Sequence, residues 1–314
     1  MSDPEGFAAA WGQEALLATA DELPRLFDDL FTLDAVDELL SHRGLRTPFL
    51  RLAKEGSIVP TARFTRSGGV GAEIGDQVDD EAVARLFADG STIVLQALHR
   101  TWAPIGAFAR ELAADLGHPV QVNAYVTPPS SRGFSAHYDI HDVFVLQIAG
   151  EKRWVVHPPV FEAPLRSQPW TGRRDDVERA AAGDPLLDVA LAPGDVLYLP
   201  RGFLHAAEAL GDVSAHLTVG IHVVTRHALL QEIVGLADDE LDLRTSLPLH
   251  LQLDSEWVGE EVAATIAALR AHLDTVDPAE VAERLRETLA TAMRPEPVAP
   301  VQTLLDARTV PDAD

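Results

Sequence analysis

The stretch that decides the fold runs Val120-Gln121-Val122-Asn123-Ala124-Tyr125-Val126, then Thr127-Pro128-Pro129-Ser130-Ser131, then His137-Tyr138-Asp139. Its first part alternates apolar residues with polar or small ones, the period-2 pattern of a β-strand. The paired prolines cannot sustain a hydrogen-bonded ladder, so they mark a loop. Further short strand candidates follow at His137–Gln147, Arg153–His157, Asp188–Leu191, Asp195–Leu199 and Ser214–Val224, punctuated by Gly and Pro. Many short strands without long helices between them predict an antiparallel barrel or jelly roll, not a parallel nucleotide-binding sheet.

On either side the texture is helical. Upstream, Asp80–Ala88 and Trp102–Leu116 read as helices, the second stopped by Gly117, with Ser91–Gln96 as a strand. Ser67–Gly71 is glycine-rich but lacks the Lys and Ser/Thr of a phosphate loop, so it reads as a turn. Downstream, Val262, Ile266, Leu269 and Leu273 share one helical face. Asp277-Pro278-Ala279-Glu280 is a helix start, with a capping Asp, Pro at the first helical position and an acid in the first turn. The expected organisation is a mainly β core with α elements over 1–225, a helical segment over 226–294 and a linker or tail over 295–314.

The bulk composition narrows the function classes. Of 314 residues, 46% are hydrophobic, enough to bury a full core, and there is no cysteine, so disulfides, thiolate metal sites and cysteine nucleophiles are excluded. No segment approaches the ~18 uninterrupted apolar residues of a membrane span, and no leader is legible, so a cytoplasmic location without membrane association is expected. With 49 acidic and 25 basic residues the net charge is −24. Such a surface repels phosphate backbones, which disfavours nucleic acid, and attracts basic peptides.

His137 and Asp139 lie two apart, so on a strand both point to one face and can reach a single ion. A third donor is offered by His205, at the end of Pro193-Gly194-Asp195-Val196-Leu197-Tyr198-Leu199-Pro200-Arg201-Gly202-Phe203-Leu204-His205, where a Pro-Arg-Gly turn precedes the histidine. Two imidazoles and one carboxylate on one side of a metal form the facial triad of non-haem iron(II) oxygenases, with three positions left for a keto acid and dioxygen. His141 shares the parity of His137 but lies ~13 Å along at ~3.3 Å per residue, so it is set aside as a ligand unless the strand bends. His157, His216, His222 and His227 read as structural or as outer neighbours of the metal. Lys152, on the next strand, can point into the same barrel, but by itself it reads as an ordinary turn lysine.

The run Asn123 to Asp139, continued by Val143-Phe-Val-Leu-Gln-Ile-Ala-Gly-Glu-Lys-Arg-Trp154, Leu197–His205 and Ser214–Thr218, resembles the ribosomal oxygenase branch of the JmjC/cupin-like oxygenases. The likeness is tight over about 120–225 and looser over about 25–119. It implies a double-stranded β-helix (jelly-roll) core with N-terminal helices and a C-terminal helical dimerisation domain. Iron(II), 2-oxoglutarate and O2 are the implied reactants, and hydroxylation of an arginine or histidine side chain in a ribosomal protein is the implied reaction. His137, Asp139 and His205 match the iron ligands. Lys152 matches the residue that pairs with the far carboxylate of 2-oxoglutarate, which reverses the reading of that lysine made from the residues alone. Asn123 and Thr218 match further co-substrate positions, and Tyr125 a substrate position. Gly220 stands where the family often has a substrate-side serine, the loop between His205 and Thr218 is slightly short, and the family's winged-helix domain after the dimerisation helices is missing from this sequence.

The resemblance also makes a homodimer through the C-terminal helices an expectation. Three rivals stay open. They are an oxygenase acting on another peptide, an N-methyl-lysine demethylase built on the same core, and a non-catalytic metal-binding cupin. Metal cupins without a keto acid usually carry His-x-His with a nearby Glu, whereas Asp142-Val143-Phe144-Val145 offers none.

Overall fold

The structure is a computed structural model that describes residues 4–309, apart from 24, 72, 130, 132, 133, 248, 250–254 and 294. Ser130 of the expected loop and 310–314 of the expected tail fall outside the described residues. The chain forms two compact units, 1–223 and 224–314.

The strands of the first unit are β1 (Leu16–Ala18), β2 (Leu50–Lys54), β3 (Ser57–Ile58), β4 (Thr65–Arg66), β5 (Gln77–Val78), β6 (Thr92–Leu95), β7 (Val120–Thr127), β8 (Asp142–Pro159), β9 (Leu187–Leu191), β10 (Val196–Leu199) and β11 (Phe203–Ile221). Its helices are α1 (Pro4–Ala10), α2 (Leu33–His42), α3 (Asp80–Ala88), α4 (Leu98–Thr101), α5 (Ala103–Leu116) and α6 (Arg174–Ala181). Asp79 caps α3 by accepting the Ala82 N–H at 3.2 Å, and Gly117 ends α5 with φ +67°, so both helix limits follow local chemistry.

Nine strands form one antiparallel sheet in the order β1-β10-β8-β11-β7-β6-β2-β3, with β9 on the far half of β8; β4 and β5 form a separate ribbon. Two strands serve both layers of the resulting jelly roll. The first half of β8 pairs with β10 and the last half of β11, while its second half pairs with β9 and the first half of β11. The chain turns between these halves at Gly150, whose φ is +60° and where a Cβ would sit 2.1 Å from the Val213 carbonyl oxygen. Only glycine fits there. On β11 the matching break is a register shift between Leu210 and Ala215, within the segment expected to be a short loop.

Alternation along each strand divides its side chains between a cavity inside the roll and an outer core. On β7, Val122, Ala124 and Val126 are buried against Leu50, Leu95, Leu217 and Ile221 in the main core, under α2, α3 and α5. Each fully buried side chain of this kind contributes ~1.5–3 kcal/mol relative to exposure. Asn123 and Tyr125 point the other way, into the cavity.

Two expectations need correction. No continuous strand spans His137–Gln147: His137 makes an isolated bridge to His205, and regular pairing begins at Asp142. The intervening backbone is held by the turn beneath it, through the Gly202 N–H donating to the Asp139 carbonyl at 3.0 Å, and not by a ladder. Within the expected linker, Pro300–Thr309 forms a helix; Pro300 sits at its first position, where a missing N–H costs nothing.

The second unit contains α7 (Arg226–Leu236), α8 (Leu241–Arg244), α9 (Ser255–Leu273), α10 (Pro278–Ala292) and α11 (Pro300–Thr309). Thr225 caps α7 and Asp277 caps α10. Between those helices Glu232 accepts from Thr288 Oγ1 at 2.8 Å and pairs with Arg284 at 3.5 Å. Val258, Val262, Ile266 and Leu273 of α9 are exposed, as are Leu229, Leu230 and Val234 of α7. Among the described residues no helix is long and apolar enough to cross a membrane.

Candidate metal centre

His137, Asp139 and His205 converge: one donor atom from each lies within 4.8 Å of the others. The backbone produces this meeting. His137 and His205 exchange hydrogen bonds, N–H to O=C at 3.1 Å and 2.9 Å, so two residues far apart in sequence sit directly opposite each other. The turn delivering His205 requires glycine at 202, where φ is +91° and a Cβ would sit 2.3 Å from the Phe161 carbonyl oxygen.

Each imidazole has its Nδ1 engaged. His137 Nδ1 faces the Ser135 carbonyl at 2.8 Å, and His205 Nδ1 faces that of Phe203 at 3.0 Å. A carbonyl only accepts, so both Nδ1 atoms carry a proton, which leaves Nε2 as the donor atom each ring can offer an ion. His205 is buried, and that desolvation, together with nearby His137, lowers its pKa to about 4. Burial pushes the Asp139 carboxyl up, but the imidazoles of His141, His205 and His137 outweigh it and hold the group below its ordinary value. The set is therefore two imidazole nitrogens, that of His205 neutral at neutral pH, and one carboxylate. His205 Nε2 stands 3.8 Å from Asp139 Oδ2, and donors ~2.1 Å from an ion at right angles sit ~3 Å apart, so a divalent cation needs only a small contraction.

The three line one end of a cavity of about 110 Å³, room for several waters or a small organic acid. Lys152 lies in its wall and is buried. Its Nζ donates to Thr127 Oγ1 at 3.0 Å, and among the described residues no carboxylate pairs with it. Desolvation lowers its pKa to about 7. A buried ammonium without a counter-charge is costly and is relieved by a bound anion. His216 beside it is pushed well below its ordinary pKa by burial and by Lys152, so it stays neutral.

The remaining expected residues divide. Asn123 and Thr218 face each other across β7 and β11 and both line the cavity. Asn123 Oδ1 accepts the Ala97 N–H at 3.0 Å, which leaves its amide N–H groups for a ligand. Tyr125 lines the cavity, stacked on His216 at 5.0 Å. Gly220 does not line it: a Cβ there would come 3.1 Å from Gln121 and 3.2 Å from His141 Nε2. His141 occupies that space, its Nε2 3.1 Å from the Gln121 amide, and itself lines the cavity. The backbone bends before Asp142, so the straight-strand estimate overstated its distance from the centre, although it is not one of the three converging donors.

Sequence reasoning missed Trp154 and Phe134 as cavity residues and Thr127 as the partner of Lys152, and it undervalued His216. Parity was the available signal, since Thr127 follows Tyr125 by two, Trp154 follows Lys152 by two and His216 precedes Thr218 by two. It also missed Asp142. This fully buried carboxylate accepts from Tyr198 OH at 2.6 Å and from the Arg201 N–H at 3.1 Å, and it stands 3.6 Å from Arg201 Nη1. It ties the segment after Asp139 to the turn before His205.

In comparison with known proteins, residues 106–229 match the family model described as JmjC domain. The chain is 37% identical over 152 residues to the Drosophila persimilis bifunctional lysine-specific demethylase and histidyl-hydroxylase NO66, covering 45% of this chain and 21% of that protein. It is 28% identical over 310 residues to human ribosomal oxygenase 1, covering 95% and 44%. The chain thus spans less than half the length of these relatives. Among solved structures, Escherichia coli ribosomal oxygenase YcfD superposes with a TM-score of 0.53 at 15% identity over 89% of this chain and 68% of that one. A complex of YcfD with cobalt and succinic acid gives a TM-score of 0.54 at 17% identity, over 90% and 69%. Those likenesses establish the JmjC/cupin fold.

Proposed function

We propose that this chain, which carries a JmjC domain over 106–229, is an iron(II)- and 2-oxoglutarate-dependent oxygenase that hydroxylates a side chain of a basic protein, with a ribosomal protein as the foremost candidate. One observation carries the reading: a cavity with two imidazoles and a carboxylate at one end also holds a buried lysine that has no carboxylate partner among the described residues. A metal-binding cupin without a keto acid has no use for that lysine. Human ribosomal oxygenase 1 and the YcfD complex with cobalt and 2-oxoglutarate support the same reading.

His137, Asp139 and His205 would hold the metal through Nε2, a carboxylate oxygen and Nε2. Lys152, with Thr127, would hold the far carboxylate of the keto acid; Asn123 and Thr218 flank the space between. Iron(II) with 2-oxoglutarate supplies the oxidation: dioxygen is consumed, the keto acid leaves as succinate and carbon dioxide, and one oxygen atom enters a substrate C–H bond. The residues supply position and exclude water. Tyr125 and Phe134, 6.2 Å apart edge to face, wall the side of the cavity next to His137. The net charge of −24 favours encounter with a basic partner. The exposed apolar residues of α7 and α9 fit a homodimer through the helical unit.

The test is succinate formation from 2-oxoglutarate with iron(II), alone and with a basic peptide pool. Intact-mass comparison of ribosomal proteins from cells with and without the gene accompanies it. Absence of turnover in both conditions, with His137→Ala indistinguishable from wild type, ends the oxygenase reading. Turnover without a one-oxygen mass difference in any ribosomal protein moves the substrate to another basic protein.

A further inference from the structure

On the back of the sheet that walls the catalytic cavity lies a second depression, of about 450 Å³, between α2 and α3. Its floor is Ile93 of β6 and Val126 of β7, which are register partners. Their strand neighbours Thr92 and Tyr125 face the cavity, so groove and cavity share strands but lie on opposite faces. Val36 and Leu40 of α2 form one wall, and Val83 and Phe87 of α3 the other. The lips are acidic: Asp37 on α2, Asp80 and Glu81 on α3, with Asp34 continuing the edge into an adjoining shallow cleft. No Lys or Arg lines the groove among the described residues. Glu81 makes a loose 3.9 Å pair with exposed Arg85, which at the surface neutralises little.

An apolar trough between two helices with carboxylates on both lips is the complement of a helix with one apolar face and a basic flank. The ten residues of α2 set a trough ~15 Å long, enough for anchors at i, i+3 or i+4, and i+7. Charge argues against a second copy of this chain as occupant. Among the described residues no helix of eight or more residues has a net positive formal charge; α9, the longest, carries Glu256, Glu260 and Glu261 against Arg270. We propose that the α2–α3 groove is a docking site for an amphipathic, basic-flanked helix of a partner protein. The inference does not depend on the oxygenase reading.

The test uses the full chain and a fluorescein-labelled synthetic Leu/Lys amphipathic peptide of about 18 residues, long enough to become helical, with a Leu/Glu peptide of the same pattern as counterpart. Fluorescence anisotropy at low salt should show binding of the Lys peptide and none of the Glu peptide. The triple substitution D37N/D80N/E81Q should weaken it about tenfold, and Leu40→Ala should weaken it further. The substitution D175N/E178Q/D184N removes equal charge from exposed positions on and after α6 and should leave binding within about twofold. Equal weakening by both triple variants would mean diffuse attraction to an acidic surface and overturn the proposal. So would sedimentation showing that the Lys peptide dissociates self-associated chains, since the groove would then be occupied by a second copy. Unchanged thermal melting of each variant, followed by circular dichroism, separates loss of docking from loss of folding.

Discussion

The two ends of the cavity are built by different means. The metal end stands on irregular backbone: an isolated bridge at His137, a bend through 138–141 and a glycine turn before His205, pinned by a few hydrogen bonds rather than a continuous ladder. The Lys152 end stands on regular pairing, between the second half of β8 and its neighbours β9 and β11. The metal end is partly open, with about a third of the Asp139 side chain exposed, whereas Lys152 is 3% exposed. Openness suits a centre that must admit substrate. Closure makes an unpaired cation demand an anion.

The sharpest way to break this contrast is at the metal end. His137→Ala should abolish turnover and lower Co(II) affinity more than ~100-fold, read from the visible spectrum of the Co(II) protein, with little change in thermal stability. A variant that still binds Co(II) like wild type would remove His137 from the centre.

Next in size is Asp142, which joins the two irregular segments. Asp142→Ala leaves the Tyr198 hydroxyl and Arg201 without their buried acceptor. It should cost ~3–5 kcal/mol in chemical denaturation and weaken Co(II) binding as a consequence. A loss below ~1 kcal/mol would mean that the turn holds itself.

At the other end, Lys152→Met should raise the 2-oxoglutarate requirement about 10–100-fold while Co(II) affinity stays unchanged. The same substitution should leave the ligand-free protein as stable as wild type or more so, because a buried charge is removed. A drop in melting temperature would show that Lys152 is paired within the folded chain.

The smallest effect is pH dependence. Free Lys152 titrates at about 7, against 10.5 for an ordinary lysine. Below pH 7 it is already charged for an anion; above, each binding event must take up a proton. Affinity for 2-oxoglutarate should therefore fall about tenfold per pH unit above 7. Over the same window, from 7 toward 10.5, the ligand-free chain should gain stability, because the unfolded lysine holds a proton that the folded one has released. Calorimetric titration at pH 6.5, 7.5 and 8.5 would settle the sign, and a flat profile would remove Lys152 from co-substrate binding.

Much of this was legible in the residues. The alternation of Val120–Val126 is a local property, as are the capping Asp277-Pro278 and the turn residues around Gly202, because each acts through a few neighbouring backbone groups. His-x-Asp with a remote turn-borne histidine is legible as chemistry because few residue types make that donor set. The straight-strand spacing used for His141 does not apply, because a rise of ~3.3 Å per residue holds only in an extended strand and the 200–205 turn holds the segment before Asp142; His141 is still not one of the three converging donors. Lys152 shows the same limit: alone it reads as a turn lysine, and its meaning comes from burial.

The sequence by itself determined the jelly-roll class, the composition of the donor set and the acidity of the surface, since periodicity, side-chain chemistry and charge need no partner. Only the tertiary structure decided that His137 and His205 stand opposite each other, that Asp142 locks their two segments together, and that Lys152 has no carboxylate partner among the described residues. Those facts depend on the pairing of β8 with β11 and on the low-dielectric interior that pairing creates, which are relations between residues dozens of positions apart.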